Sequence, residues 1–439
     1  MRSLKNLRPF KGGMGVFLLV WFGQLISLIG SGLTNFALGV WVYQRTGSVT
    51  QFSLILLFAM LPSIVISPVA GAIVDRWNRR WCMILSDSGA GITTVAIALL
   101  LVAGNLQLWH IYLAVGLSSI FKAFQLPAYT ASTSLLVPKE QLPRASGMVQ
   151  SGEACAQLIS PLLAGILLGI IQLEGIIVID FTTFLFALTS LLLVRFPDAK
   201  TDAVPKEAKT SLWQEAIEGS TYLFVRPGLL ALLIVFALNN FVLGMIEVLF
   251  TPLVLSFTSV TVLGTIQSIG GAGMLLGSVV MSIWGGPRTL IRGVFGFTFL
   301  SQMCILALGL RADAALFALA FFLFFFSLPF INGWCDAILL RKVAPDIQGR
   351  VFATINMICW SCIPAAYVVA GPLAERIFEP LMATDGLLAG SIGQLIGVGP
   401  GRGIGLLFIT MEILAIGVTV AVYRYPRLRF MERELPDAI

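Results

Sequence analysis

Long apolar runs divided by short basic loops are the feature that most constrains this chain. A helix that crosses a bilayer needs about 20 mostly apolar residues. Runs of that kind lie near residues 16–43, 50–74, 81–103, 108–136, 146–171, 174–196, 228–256, 260–284, 290–310, 313–338, 351–378 and 402–424. In lipid every backbone N–H and C=O must be satisfied within the protein, so continuous runs of this length read as helices. The expected fold is an all-α integral membrane protein of about twelve transmembrane helices in two six-helix bundles. The first bundle covers residues 1–196, a cytoplasmic linker 197–227, and the second bundle 228–439.

The loop charges check that count. Lys and Arg are enriched in cytoplasmic loops. With the N-terminus placed in the cytoplasm, 23 basic residues fall on that side and four, Arg45, Arg311, Arg376 and Arg402, on the other. One missed helix would scramble this alternation. Both termini are then cytoplasmic, and the expected location is the inner (plasma) membrane. The basic start (Arg2, Lys5, Arg8, Lys11) leads into a run too long for a signal-peptide core, and no small-residue cleavage site follows. That run reads as the first span.

Several function classes fall away. Charged residues make up 11% of the chain, against about 25% in soluble domains, so the surface is too poor in charge to face water. The net charge of +6 is spread over short clusters rather than one patch, which argues against nucleic acid as a partner. All six cysteines sit in apolar runs. Cys359 and Cys362 form a C-x-x-C, but with no further ligands nearby it reads as packing rather than redox or metal chemistry. His110, the single histidine, sits at a predicted helix end with no metal partner in sequence. No metal, cofactor or enzymatic activity is expected, and without a G-x-x-x-x-G-K-[ST] loop neither is ATP drive.

The two halves echo each other. Val137-Pro138 to Arg144 follows the fourth run, and Val343-Ala-Pro345 to Arg350 follows the tenth; each has a proline past one helix and an arginine opening the next. Internal repeats of this kind build many transporters, with the substrate site between repeats near midplane. In the linker, the segment from Ser211 to Glu218 reads as a short capped amphipathic helix, best explained as part of a tether.

The loop Gly71-Ala-Ile-Val-Asp75-Arg76-Trp-Asn-Arg79-Arg80 resembles the loop 2–3 signature of the major facilitator superfamily. Physically, a glycine that admits close helix approach, beside an acid and several bases, makes a charge network that forms in one conformation and breaks in another. With Arg144, Asp336 and Arg350, these residues are the expected gating set. Ser160-Pro161-Leu-Leu-Ala-Gly165 resembles a degenerate proline-glycine motif of facilitator antiporters. Val343–Phe352, Gly371–Pro380, Gly399-Pro-Gly-Arg402-Gly and Glu434-Leu-Pro-Asp437 resemble the macrolide-efflux and enterobactin-exporter-like branch. The resemblance implies a secondary exporter working by alternating access as a monomer, exchanging protons for an amphipathic small molecule: a macrolide-like drug, a siderophore or another secondary metabolite. A lipid or lysolipid flippase on the same fold is the alternative transport reading. A non-transporting membrane sensor or scaffold is the alternative of another class.

Ionisable groups deep in a membrane are costly by several kcal/mol and point to function by default. Lys122 lies about 14 residues into the fourth run, near midplane at about 1.5 Å per residue. It shares a helical face with Ser118, Gln125 and Tyr129. Helix 1 carries Gln24, Ser27, Ser31 and Asn35 on one face, and helix 5 carries Gln150, Glu153, Gln157 and Ser160. Interhelical hydrogen bonding alone explains such stripes at about 0.6 kcal/mol per contact. A lysine among them favours a cavity. Glu153 is the expected proton-coupling acid, with Lys122 as its partner and Asp180 as a further candidate. Glu412, like Asp180, reads equally well as a packing residue, because helices 6 and 12 are peripheral in the family pattern. Asn239, Trp334 and Trp360 complete the expected cavity. The phenylalanine run at 321, 322 and 324–326 leans toward an apolar pocket for a bulky ligand.

Overall fold

The computed structural model describes residues 13–74, 76–138, 141–194, 221–222, 225–343 and 347–425. The segment expected to form the amphipathic linker helix, and Asp75 of the gating loop, lie outside the described residues. Within them, eleven helices are long and apolar enough to cross a membrane. One of these, Leu142–Leu193, runs for 52 residues and breaks at Gln172, whose φ of 57° is left-handed. That break divides it into two spans, so the described chain carries the expected twelve.

In chain order the spans are α1 (Met14–Thr46), α2 (Val49–Val74), α3 (Arg79–Val102), α4 (Leu108–Leu136), α5 (residues 142–171) and α6 (residues 173–193). The rest are α7 (Pro227–Leu255), α8 (Val260–Trp284), α9 (Leu290–Leu310), α10 (Ala314–Lys342), α11 (Gln348–Leu373) and α12 (Arg402–Arg424). A π-helical turn, Ala374–Phe378, extends α11. Two compact units emerge, residues 1–47 with 54–202 and residues 48–53 with 203–439.

Caps set several helix ends, because the first N–H groups of a helix lack internal partners. The Asn78 side chain accepts from the N–H groups of Arg80 and Trp81 at the start of α3. Asp313 accepts from Leu316 N–H at 2.8 Å to open α10. His110 has the same kind of task. Its Nδ1 accepts from the Gln107 N–H at 3.0 Å, and the Gln107 side chain returns a bond, closing a capping box on α4. The lone histidine is thus a helix-start residue.

Lipid tails are as apolar as leucine, so helices in a bilayer associate through close packing of small residues rather than by escaping water. In the first unit α1 packs most extensively on the α5–α6 stretch. Gly30 governs that approach: a Cβ there would collide with the Thr183 side chain and lie 3.2 Å from the Asp180 Cα. In the second unit the phenylalanine run of α10 faces α8. Cβ atoms on Gly273 and Gly277 would strike the Phe322 and Phe326 carbonyls, while Phe321 stacks on Phe250 of α7 at 4.0 Å between ring centroids.

Candidate functional site

Inside the first unit a polar cavity of about 110 Å³ opens between α1, α3, α4 and α6. Ligand pockets for drug-sized molecules measure about 300–1,000 Å³. This one is smaller, and it has room for water. Its wall carries Gln24, Ser31 and Asn35 from α1, Asp87 from α3, Ser118, Lys122 and Gln125 from α4, and Asp180 from α6.

Two carboxylates organise it. Asp87 and Asp180 are 7% and 4% exposed. Asp87 accepts from Gln24 Nε2 at 3.1 Å and from Gln125 Nε2 at 2.5 Å. The Gln125 amide also donates to Gln24 Oε1 at 3.0 Å, which closes a triangle across three helices. Asp180 accepts from Ser31 Oγ at 3.2 Å, and Thr34 and Thr94 flank the same carboxylate. The charge acting on the Lys122 ammonium is Asp180. Lys122 lies deep in the unit yet keeps open surface, as a side chain lining a cavity does. The approach at Gly30 is what lets α6 deliver Asp180 to Ser31, one residue further along α1.

The expected residues divide sharply. The α1 stripe and Ser118, Lys122 and Gln125 meet on this wall. Tyr129, one turn beyond, packs instead against the apolar cluster around Val16, Met83 and Leu136. The α5 stripe does not join the cavity. Gln150, Glu153 and Gln157 present open surface, and Ser160 is buried with its hydroxyl donating to the Ile29 carbonyl at 3.2 Å. Lys122 therefore faces Asp180 rather than Glu153, because α6 and not α5 brings its acid to that wall.

In the second unit Asn239 lines a separate cavity of about 100 Å³. Trp334 is a core residue and not a cavity wall: it is 1% exposed, donates to the Gly285 carbonyl at 3.0 Å and packs edge-on against Trp284 and Phe297. Trp360 is 56% exposed and lines neither cavity.

Among the gating residues, Arg79 donates to the Ala131 carbonyl of α4 at 3.2 Å. Arg80 donates to the carbonyls of Leu191 and Leu192 at the end of α6 at 3.1 and 2.8 Å. A cation suits the Leu191–Leu192 site, where unpaired carbonyls give the end of α6 partial negative charge. Arg76, Arg144 and Asp336 are exposed and Arg350 half-buried. The reason offered for Gly71 is not realised here, since a Cβ on it would meet nothing within 4 Å.

Two features escaped the sequence reading. Asp87 is the first; it lies eight residues into α3, and the depth rule that singled out Lys122 applies to it as well. The second is a buried pair in the other unit, where the Tyr367 hydroxyl of α11 donates to the Glu247 carboxylate of α7.

Two stretches quoted above for the efflux branch turn out to touch. Glu379, from the Gly371–Pro380 stretch, accepts from the N–H groups of Gly401 and Ile404 at 3.3 and 3.1 Å, and so caps the start of α12. A Cβ on Gly403 would strike the Glu379 backbone.

Comparison with known proteins agrees with this architecture. The family model of the Major Facilitator Superfamily matches residues 20–368. The chain is 30% identical over 378 residues to macrolide efflux protein A of Streptococcus pyogenes, covering 82% of this chain and 90% of the relative. It is 25% identical over 377 residues to the multidrug efflux pump Tap of Mycolicibacterium fortuitum, covering 82% and 90%. Among solved structures, nucleoside transporter NupG superposes with a TM-score of 0.68 at 15% identity, over 94% of this chain and 100% of that one. A bacterial homologue of the human lysosomal transporter Spinster gives 0.68 at 14%, over 96% and 98%. Those two likenesses speak to the fold alone. The chain belongs to the Major Facilitator Superfamily, in its macrolide-efflux branch.

Proposed function

We propose that this transporter is a proton-coupled exporter of amphipathic small molecules of the macrolide type, with Asp180, Lys122 and Asp87 as its proton-handling groups. One observation carries the reading. The first unit's cavity brings two carboxylates and one ammonium together on one wall. Fully ionised, that set is one negative charge out of balance in a medium where unpaired charge is costly. Binding one proton balances it. Substrate then acts by favouring the conformation in which the proton leaves, and a ligand shifts such an equilibrium only by its differential affinity for the two states.

The chain works as a monomer in the inner membrane with both termini in the cytoplasm, the orientation supported by the loop charges. Its efflux relatives support macrolides as the first substrates to try. The test is reconstitution in liposomes with an imposed pH gradient, following erythromycin and a pH-sensitive dye together. Erythromycin movement that collapses the gradient is the expected result. Movement indifferent to the gradient, with no proton flux, overturns proton coupling, and a panel of siderophores and lipids then distinguishes the remaining substrate classes.

A further inference from the structure

The second unit carries an acid that the proposed exporter cycle does not use. Glu412 of α12 is 0% exposed, and neither of its carboxylate oxygens has a hydrogen-bond partner among the described residues. It faces the cavity of about 100 Å³ enclosed by α7, α9, α10 and α12. No Lys or Arg is on that wall, and Glu412 is its only titratable residue. The other ionisable residues of the surrounding helices line none of it: Glu247 on α7, Arg292 and Cys304 on α9, Cys335, Asp336, Arg341 and Lys342 on α10, and Arg402, Tyr423 and Arg424 on α12.

A buried carboxylate with no hydrogen-bond partner and no cation beside it is a high-energy species, and such a group neutralises instead. The neighbouring polar atoms fit the neutral form. Two more buried groups on the same wall lack partners: the Asn239 amide nitrogen, a donor, and the Gln302 amide oxygen, an acceptor. A carboxylic acid offers one O–H to donate and one carbonyl oxygen to accept. It therefore matches the unpaired acceptor of Gln302 and the unpaired donor of Asn239, directly or through a water the cavity has room to hold. A bound metal cation does not fit as well, because Asn239 turns an N–H toward the space. The orientation of Gln302 is fixed independently by its own Nε2, which donates to Thr419 Oγ1 at 2.8 Å.

We infer that Glu412 is a second proton-binding site, lodged in the C-terminal unit, its neutral form favoured by burial and by the Gln302 acceptor. When the cavity hydrates, the carboxyl O–H bond breaks, the proton passes to water, and the carboxylate left behind accepts from Asn239. The site is defined within one unit and does not rest on the export reading, so either can fail alone.

Infrared spectroscopy of the purified full-length protein tests it. The wild type should show the carbonyl stretch of a protonated carboxylic acid at neutral pH, lost on alkaline titration. E412Q, which keeps the shape of the neutral acid, should lack that band and bind one proton fewer over the same titration. Gln302→Leu, which removes the acceptor, should shift the band. A neutral-pH spectrum that E412Q leaves unchanged overturns the inference, and so does an E412Q-sensitive band that alkali does not remove. Loss of the macrolide-driven proton flux with the band intact counts against the exporter reading alone.

Discussion

Gln125 of α4 donates to Asp87 of α3 at 2.5 Å, and the same amide donates to Gln24 of α1 at 3.0 Å. Three helices of the first unit are thus tied at one buried carboxylate. Removing that carboxylate leaves the Gln24 amide N–H without its acceptor, while Gln125 keeps Gln24 Oε1, and an unsatisfied buried group costs about 1–3 kcal/mol. Asp87→Leu is expected to lower thermal stability by that order, read as a shift in the melting temperature of detergent-purified protein. Asp87→Asn keeps one accepting oxygen but turns an N–H toward the other amide, so it should be destabilised less than Asp87→Leu, yet lose proton-driven export. Full export by a well-folded Asp87→Asn protein removes Asp87 from the proton-handling set.

Lys122 and Asp180 call for a double-mutant cycle. Removing Lys122 leaves the buried Asp180 carboxylate without its cation, while Lys122 itself keeps open surface, so the cost falls below that of a fully buried pair. Lys122→Met and Asp180→Asn should each destabilise the protein, and the double variant should recover much of the loss. Strict additivity of the two effects would show the groups to be uncoupled. Glu153 is the contrasting case. It presents open surface outside the cavity, so Glu153→Gln should leave both melting temperature and export near wild type. If instead Glu153→Gln abolishes export and Asp180→Asn does not, the acid expected from the sequence is the coupling group after all.

These two acids show what the sequence carries and what it does not. All twelve spans were legible, because lipid demands length and apolarity, and both are local properties. The α1 and α4 stripes were legible for the same reason, since residues three and four apart share a face. The pairings were not. Asp87 meets Gln24 across 63 residues and Gln125 across 38, and no local pattern encodes those meetings. Asp180 ranks below Glu153 in the sequence because helix 6 is peripheral in the family pattern, yet the glycine at position 30 draws α6 close enough for its acid to reach the cavity. Conversely, Trp334 looked like a pocket aromatic and proved to be core, because the surrounding rings fill the space about it.

The contact between the two efflux-branch stretches predicts a stability effect within the second unit. Glu379 supplies acceptors to two N–H groups at the start of α12. Loss of such a cap typically costs about 0.5–2 kcal/mol. Glu379→Ala should therefore lower the melting temperature, with Glu379→Gln intermediate because its amide oxygen still accepts one bond. Melting temperatures equal to wild type in both variants would show that the cap contributes nothing measurable.

Two glycines separate packing from gating. A Cβ on Gly30 would force Thr183 to move and press on the Asp180 backbone. Overpacking of this sort costs about 1–3 kcal/mol. Gly30→Ala should thus reduce stability, and with it export, because α6 is pushed back and Asp180 drawn away from Ser31. Gly71 has open space around it and sits in the last turn of α2, where alanine is at least as well tolerated as glycine. Gly71→Ala should melt at or above the wild-type temperature. If the glycine admits a close helix approach only in another conformation of the cycle, the same variant will export poorly despite its stability. Normal export from a stabilised Gly71→Ala protein would instead remove Gly71 from the gating set.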